Sequence, residues 1–131
     1  MLARLRKSRD SEAGFTLIEL LVVIIIIGIL AAIAIPTFLN QRQKGWKSAM
    51  KSDLSNATIA EESYATDNNG QYTSTLSLLT AQGFNATTDV TIAPTGTATD
   101  FTLVATHAKL SGCTITYTSS NGTSAQTGTG C

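Results

Sequence analysis

Residues 15–39 form one apolar run, interrupted by a single ionisable residue, Glu19. From position 20 to position 35 no residue is charged or strongly polar. About 20 apolar residues suffice to cross the hydrocarbon core of a bilayer as a helix. In that solvent the backbone must satisfy its own hydrogen bonds, so a single span has to be helical. Any fold open to this chain must therefore carry a long apolar helix and find a cover for it. Two residues weaken that helix. Gly28 has low helix propensity. Pro36 has no N–H, so the Ala32 carbonyl loses its usual partner and a kink is expected.

The segment before the run reads as a leader. Residues 1–14 carry Arg4, Arg6, Lys7 and Arg9 against Asp10 and Glu12, and end in Ser11-Glu12-Ala13-Gly14. An ordinary secretory signal places its apolar stretch before the cleavage site. Here the apolar run follows the small residue, so cleavage at Gly14 keeps the run in the product. The basic leader holds the N-terminus in the cytoplasm and leaves the C-terminal part outside. The whole chain of 131 residues has a formal net charge of zero; without residues 1–14, five Lys/Arg face seven Asp/Glu. No basic stripe suited to nucleic acid is present. The one basic cluster, Arg42, Lys44, Lys47 and Lys51, is expected to be a solvated helix face at the membrane boundary.

Beyond Pro36 the pattern becomes amphipathic. Trp46, Met50, Leu54, Ala57, Ala60 and Tyr64 recur at steps of three or four, on one face of a continuing helix. Lys44, Lys47, Lys51, Ser55 and Glu62 take the other side. The turn signal Asp67-Asn68-Asn69-Gly70 ends the helix near Thr66. A helix over 15–66 is about 75 Å long, too long to be buried in a small domain, so its first half is expected to project. Residues 71–83 are expected to hold a short helix, with Ser74 or Thr75 as cap, Leu76, Leu78 and Leu79 packing inward, and Gly83 as the stop. Residues 90–93, 101–106 and 113–118 are rich in β-branched residues and are predicted strands of an antiparallel sheet. Residues 119–130 are low in apolar side chains and are expected to be a loop. The fold class is α+β. Its domains are a leader (1–14), an apolar helix (15–39), an amphipathic helix (40–66) and a sheet-bearing head (67–131).

Cys113 and Cys131 are an even pair, which suits a disulfide in an exported domain. Such a bridge would staple the tail to the last strand and contribute about 3 kcal/mol in the chain-entropy model; two free thiols are the alternative. Neither a CxxC motif nor a tetrahedral metal shell can be built from two cysteines and one histidine. No cofactor or metal site is expected. His107 is expected at the surface or a strand edge. Asn56, Asn85 and Asn121 each open an Asn-x-Thr sequon, a weak three-residue pattern.

The residues Gly14-Phe15-Thr16-Leu17-Ile18-Glu19-Leu20-Leu21 resemble the prepilin cleavage and methylation motif of type IV pilins, and the resemblance extends over about 7–45. It implies a pilin fold: a long kinked helix whose second half packs on a small antiparallel head. It implies cleavage by a prepilin peptidase between Gly14 and Phe15, N-methylation of Phe15, and a role for Glu19 in adding subunits. Gly28 and Pro36 match positions that flank a stretch losing helicity in assembled filaments. The implied partners are copies of the same chain in a helical filament, the peptidase, an inner-membrane assembly platform and the membrane before assembly; nucleic acid enters only at filament level. The implied location is the cytoplasmic membrane for the precursor pool and the cell surface for the pilus. Adhesion, twitching motility and DNA uptake would all use the same N-terminal half. The physics agrees with a role for Glu19, because a carboxylate inside a membrane helix is costly and is usually paired or functional. Two alternatives share the leader and helix: a type II secretion pseudopilin, and a membrane-anchored binding module that never polymerises. An enzyme is not expected, since no Ser/His/Asp or Cys/His set, phosphate loop or metal cluster is present in the sequence.

Overall fold

The computed structural model describes residues 16–128 and 131. It divides into two compact units, with Gln41 the last residue of the first and Arg42 the first of the second. Helix α1 (Leu17–Asp67) is assigned without a break, Pro36 included.

In the first unit, α1 presents apolar side chains to the outside on every face: Ile24, Ile26, Ile33 and Phe38 are all about half exposed or more. Positions 22–27 read Val-Val-Ile-Ile-Ile-Ile, a β-branched run that is a mediocre helix former in water. A surrounding without water, where no other backbone partner exists, removes that objection. The lost hydrogen bond at Pro36 has a neighbouring adjustment, because the Thr37 hydroxyl donates to the Ile33 carbonyl at 3.1 Å.

In the second unit, α1 and a four-stranded sheet share one core. The strands are β1 (Val90–Gly96), β2 (Phe101–His107), β3 (Thr114–Thr118) and β4 (Thr123–Thr127). They form an antiparallel meander in the order β1-β2-β3-β4. Its register pairs Val90 with His107, Thr106 with Thr114 and Thr118 with Thr123. Alternation places Val90, Ile92, Phe101, Leu103, Ala105 and Ile115 on the covered face. They join Met50, Leu54, Ala57 and Ala60 of α1 in a single hydrophobic cluster, with Trp46 packed at its margin. The 3.6-residue stripe read from the sequence is therefore the buried face of α1, with Trp46 and Tyr64 only half-buried at its ends.

Helix α2 (Leu76–Ala81) is the short helix expected between the turn and the sheet. Only Leu79 of its three leucines is buried; Leu76 and Leu78 stay exposed, because six residues offer one inward position. Thr75 occupies the cap position without a side-chain cap bond. The stop is as expected. Gly83 has φ +97°, its N–H donates to Thr80, and the Phe84 N–H donates back to Leu79 at 3.1 Å. Leu79 and Phe84 are both buried, which completes a Schellman ending with its apolar contact.

Two expectations are corrected. Residues 119–130 are not all loop, since β4 lies within them. Every β4 side chain is exposed, so no apolar alternation marks the strand in the sequence. Its formation rests on backbone pairing to β3 and on the turn before it, where Asn121 Oδ1 accepts from the Thr123 N–H and hydroxyl. The Asn121-Gly122 pair was the available hairpin signal. His107 is not at the surface. It closes the buried side of β2, stacks on Trp46 with ring centroids 5.4 Å apart, and accepts from the Lys109 N–H through Nδ1.

Cys113 and Cys131 form a disulfide with a Cα–Cα distance of 5.0 Å, within the ordinary range for a bridge. Three polar ties complete the unit. Asp53 accepts from the Thr87 N–H at 2.7 Å and from its hydroxyl at 2.9 Å, fastening the 84–89 loop to α1. Glu61 accepts from the Thr73 N–H at 3.0 Å. Segment 72–74 then crosses the end of β1: the Tyr72 N–H donates to Thr97, and the Gly96 N–H donates to the Ser74 hydroxyl at 2.9 Å.

The closeness of that crossing makes Gly96 obligatory, since a Cβ there would lie 2.5 Å from backbone atoms of Tyr72 and Thr73. Gly96→Ala is expected to destabilise the fold by about 1–3 kcal/mol, read from a lower urea midpoint; an unchanged midpoint would refute the close crossing. Glu61 is fully buried, and its Oε1 has no hydrogen-bond partner among the described residues. Burial pushes its carboxyl above the ordinary 4.5, although the Thr73 N–H pulls the other way. A group that binds its proton more tightly when folded contributes fully below its unfolded pKa, and that contribution fades as pH rises through the folded value. The urea midpoint of the wild type should therefore fall relative to Glu61→Gln between pH 4 and pH 8, and parallel pH profiles would contradict this.

Candidate functional site

The segment the sequence marks for function begins at the start of α1. The Thr16 carbonyl accepts the first helical hydrogen bond, from Leu20, at 3.1 Å. The Thr16 hydroxyl accepts from the Glu19 N–H at 3.2 Å. Thr16 is thus the N-cap and Glu19 the third helical residue, the spacing of a capping box. The sequence reading singled out Glu19 but missed Thr16, although Thr-x-x-Glu before an apolar run is the recognised signal.

This geometry gives Glu19 two properties. Its carboxylate lies in the first turn, where the unsatisfied N–H groups make the helix end positive. It also has no cationic partner among the described residues and sits on an exposed stretch of helix. Around it Leu17, Ile18, Leu20 and Leu21 are exposed, Leu17 at 85%. A charge in this setting is tolerated in water and costly in an apolar surrounding unless an opposite charge meets it.

Gly14 and Phe15, the expected cleavage and methylation positions, lie outside the described residues. Gly28 and Pro36 lie on α1 in the same unit as Glu19. A Cβ at Gly28 would meet nothing within 4 Å, so no contact inside the chain requires glycine there. Its effect within the chain is a local cost in helix propensity, of about 1 kcal/mol relative to alanine. Cys113 and Cys131 are brought together in the second unit. One stretch of α1 is long and apolar enough to cross a membrane, with a mean hydropathy of 3.2 and none of it buried.

Comparison with known proteins fits this geometry. Residues 9–35 match the family described as the prokaryotic N-terminal methylation motif. The chain is 45% identical over 74 residues to the type IV wide pilus major component PilA4 of Thermus thermophilus, covering 56% of each chain. It is 43% identical over 61 residues to the type IV major pilin protein PilA of Myxococcus xanthus, covering 47% of this chain and 28% of that one. It is 37% identical over 62 residues to the type II secretion system core protein G of Escherichia coli, covering 47% of this chain and 43% of that one. The matched segments thus span about half or less of the length of these relatives. The chain thus carries the N-terminal methylation motif and, over about half of its length, is similar both to type IV pilins and to a type II secretion core protein.

Proposed function

We propose that the chain is a structural, non-enzymatic subunit of a type IV pilus that polymerises through its N-terminal helix. The observation that carries this is the exposed apolar surface of α1 over positions 17–39, with a single carboxylate in its first turn. Such a surface can be covered in two ways, by lipid before assembly and by other copies of itself afterwards. The hydrophobic gain is of order 25 cal/mol per Å² in either case against water. Apolar contact alone does not fix the register between copies. Glu19 supplies the missing specificity: cleavage after Gly14 exposes the Phe15 amine, methylation keeps it basic, and the pair aligns one copy with the next. Gly28 and Pro36 leave the intervening helix easy to loosen as copies crowd together. The precursor belongs to the cytoplasmic membrane and the polymer to the cell surface. The partners are the prepilin peptidase, a membrane assembly platform and further copies of the chain.

The similarity to type II secretion core proteins supports a second version of the same chemistry, a short periplasmic pseudopilus. Long filaments recoverable by shearing favour the first version, and their absence with assembly confined to the envelope favours the second.

Mass spectrometry of sheared filaments, with and without reductant, is the direct test. The expected species starts at N-methylated Phe15 and gains two hydrogens on reduction of the Cys113–Cys131 bridge; an intact leader in that fraction would overturn the processing scheme. Glu19→Ala is expected to abolish filaments while the membrane pool stays intact. Filaments in normal number from that variant would remove Glu19 from assembly.

A further inference from the structure

Within the second unit a cleft of about 250 Å³ remains between α1 and the outer pair of strands, β3 and β4. Lys51, Leu54, Ser55 and Thr58 line it from α1, and Tyr117 and Ser124 line it from the sheet. The four helix positions are spaced three and four apart, so at 100° per residue they share one face within an arc of about 100°. Tyr117 and Ser124 are register partners on adjacent strands. Tyr117 also pairs with Leu103, which belongs to the covered face of the sheet, so both side chains lie on the side that faces α1. Leu54 is buried, Thr58 and Tyr117 are half-buried, and Lys51, Ser55 and Ser124 are exposed.

The polar atoms of this cleft are largely uncommitted. Among the described residues the Lys51 ammonium has no ion pair or hydrogen bond, and neither have the hydroxyls of Ser55, Tyr117 and Ser124. The Thr58 hydroxyl donates to the Leu54 carbonyl at 2.8 Å and keeps its lone pairs for a ligand. Of the six lining residues only Lys51 is charged, and no carboxylate answers it. Asp53 lies on the other side of the helix, held by Thr87. Glu62 follows about 16 Å further along the axis, beyond the screening length of about 8–10 Å. Lys47, one turn before Lys51, already donates to the Cys131 backbone oxygen. From the sheet side comes no charge at all, since positions 110–131 hold no Lys, Arg, Asp or Glu.

These features select a ligand. One ammonium calls for one carboxylate or phosphate group. Hydroxyls that both donate and accept suit partners that do the same, namely alcohol groups. Tyr117 adds a flat ring, packed on Phe101 with centroids 5.9 Å apart, and tyrosine set among serines is a combination that binding surfaces use for polar ligands. The volume falls below the roughly 300–1,000 Å³ of pockets for drug-sized molecules, so the ligand is a single unit. We propose that this cleft binds one acidic sugar ring, with its carboxylate or phosphate on Lys51, its alcohol groups on Ser55 and Ser124, and its ring against Tyr117. The proposal stands apart from the filament reading, because every residue of the cleft belongs to the second unit.

The test is an NMR titration of the isotope-labelled whole chain in detergent micelles at low ionic strength, with glucuronate, glucose 6-phosphate, glucose and inorganic phosphate as probes. The two acidic sugars are expected to bind about fivefold more tightly than glucose, with shifts concentrated in residues 51–58 and 117–124. Both should also bind more tightly than inorganic phosphate, which has the charge without the ring. Lys51→Gln is expected to bring the acidic sugars down to the level of glucose. Lys44→Gln, which removes a cation outside the cleft, should leave them unchanged. Lys51 makes no hydrogen bond among the described residues, and an unchanged urea midpoint confirms the fold of its variant. Equal affinity for glucuronate and glucose overturns the proposal. An equal loss in the two lysine variants also overturns it, by marking a diffuse effect of charge. Phosphate that binds as tightly as glucose 6-phosphate does the same, by reducing the site to a bare ion contact.

Discussion

The backbone of an α-helix satisfies its own hydrogen bonds, and everything distinctive about this chain depends on that. It lets one element, Leu17–Asp67, pass from a stretch whose side chains want no water to one whose side chains divide between core and solvent. A strand or loop could not make that passage, because its N–H and C=O groups would need new partners at each change of surroundings. The weak points of the helix are placed accordingly. Gly28 and Pro36 fall in the apolar part, where Thr37 offers a hydroxyl in the next turn, and the stripe from Met50 to Ala60 that holds the sheet is free of both residue types.

The head compensates for a small core with polar ties of long sequence separation. Phe101, Met50 and Leu79 are the largest of its fully buried apolar side chains, and alanines fill much of the helix face opposite. Asp53 and Glu61 each reach from the helix to a backbone N–H of a loop, at Thr87 and Thr73. Burying a carboxylate this way has a cost, seen at Glu61, whose second oxygen has no partner among the described residues. The gain is positional: segment 72–74 is held against the end of β1 and covers that edge of the sheet.

The parts of this structure that were legible in the sequence are those with a repeating signal. The α1 stripe, the strands starting at Val90 and Phe101 and the Gly83 stop all have a period or a turn residue that survives into the fold. The N-terminal motif was legible for a different reason, since Gly14, Phe15 and Glu19 stand at fixed intervals before an apolar run. What escaped notice depends on contacts rather than on pattern. β4 has no apolar face to announce it. His107 looked like a surface residue because nothing in its neighbourhood reveals that Trp46, sixty-one positions earlier, would supply a ring to stack on. Asp53 and Glu61 carried no signal of burial in the sequence, and only their loop partners Thr87 and Thr73 make them internal. Thr16 was overlooked although its spacing to Glu19 was in plain view.

The bridge between Cys113 and Cys131 has a consequence in time as well as in stability. It links the residue before β3 to a position eighteen residues later, and so closes the β3–β4 hairpin only where thiols can be oxidised. While the two thiols are reduced, the last strand is held by backbone pairing alone, with all five β4 side chains exposed. Oxidation converts that loosely held hairpin into a covalent ring. The redox state of two sulfur atoms thus decides whether the last strand is tied to the sheet by hydrogen bonds alone or by a covalent link as well.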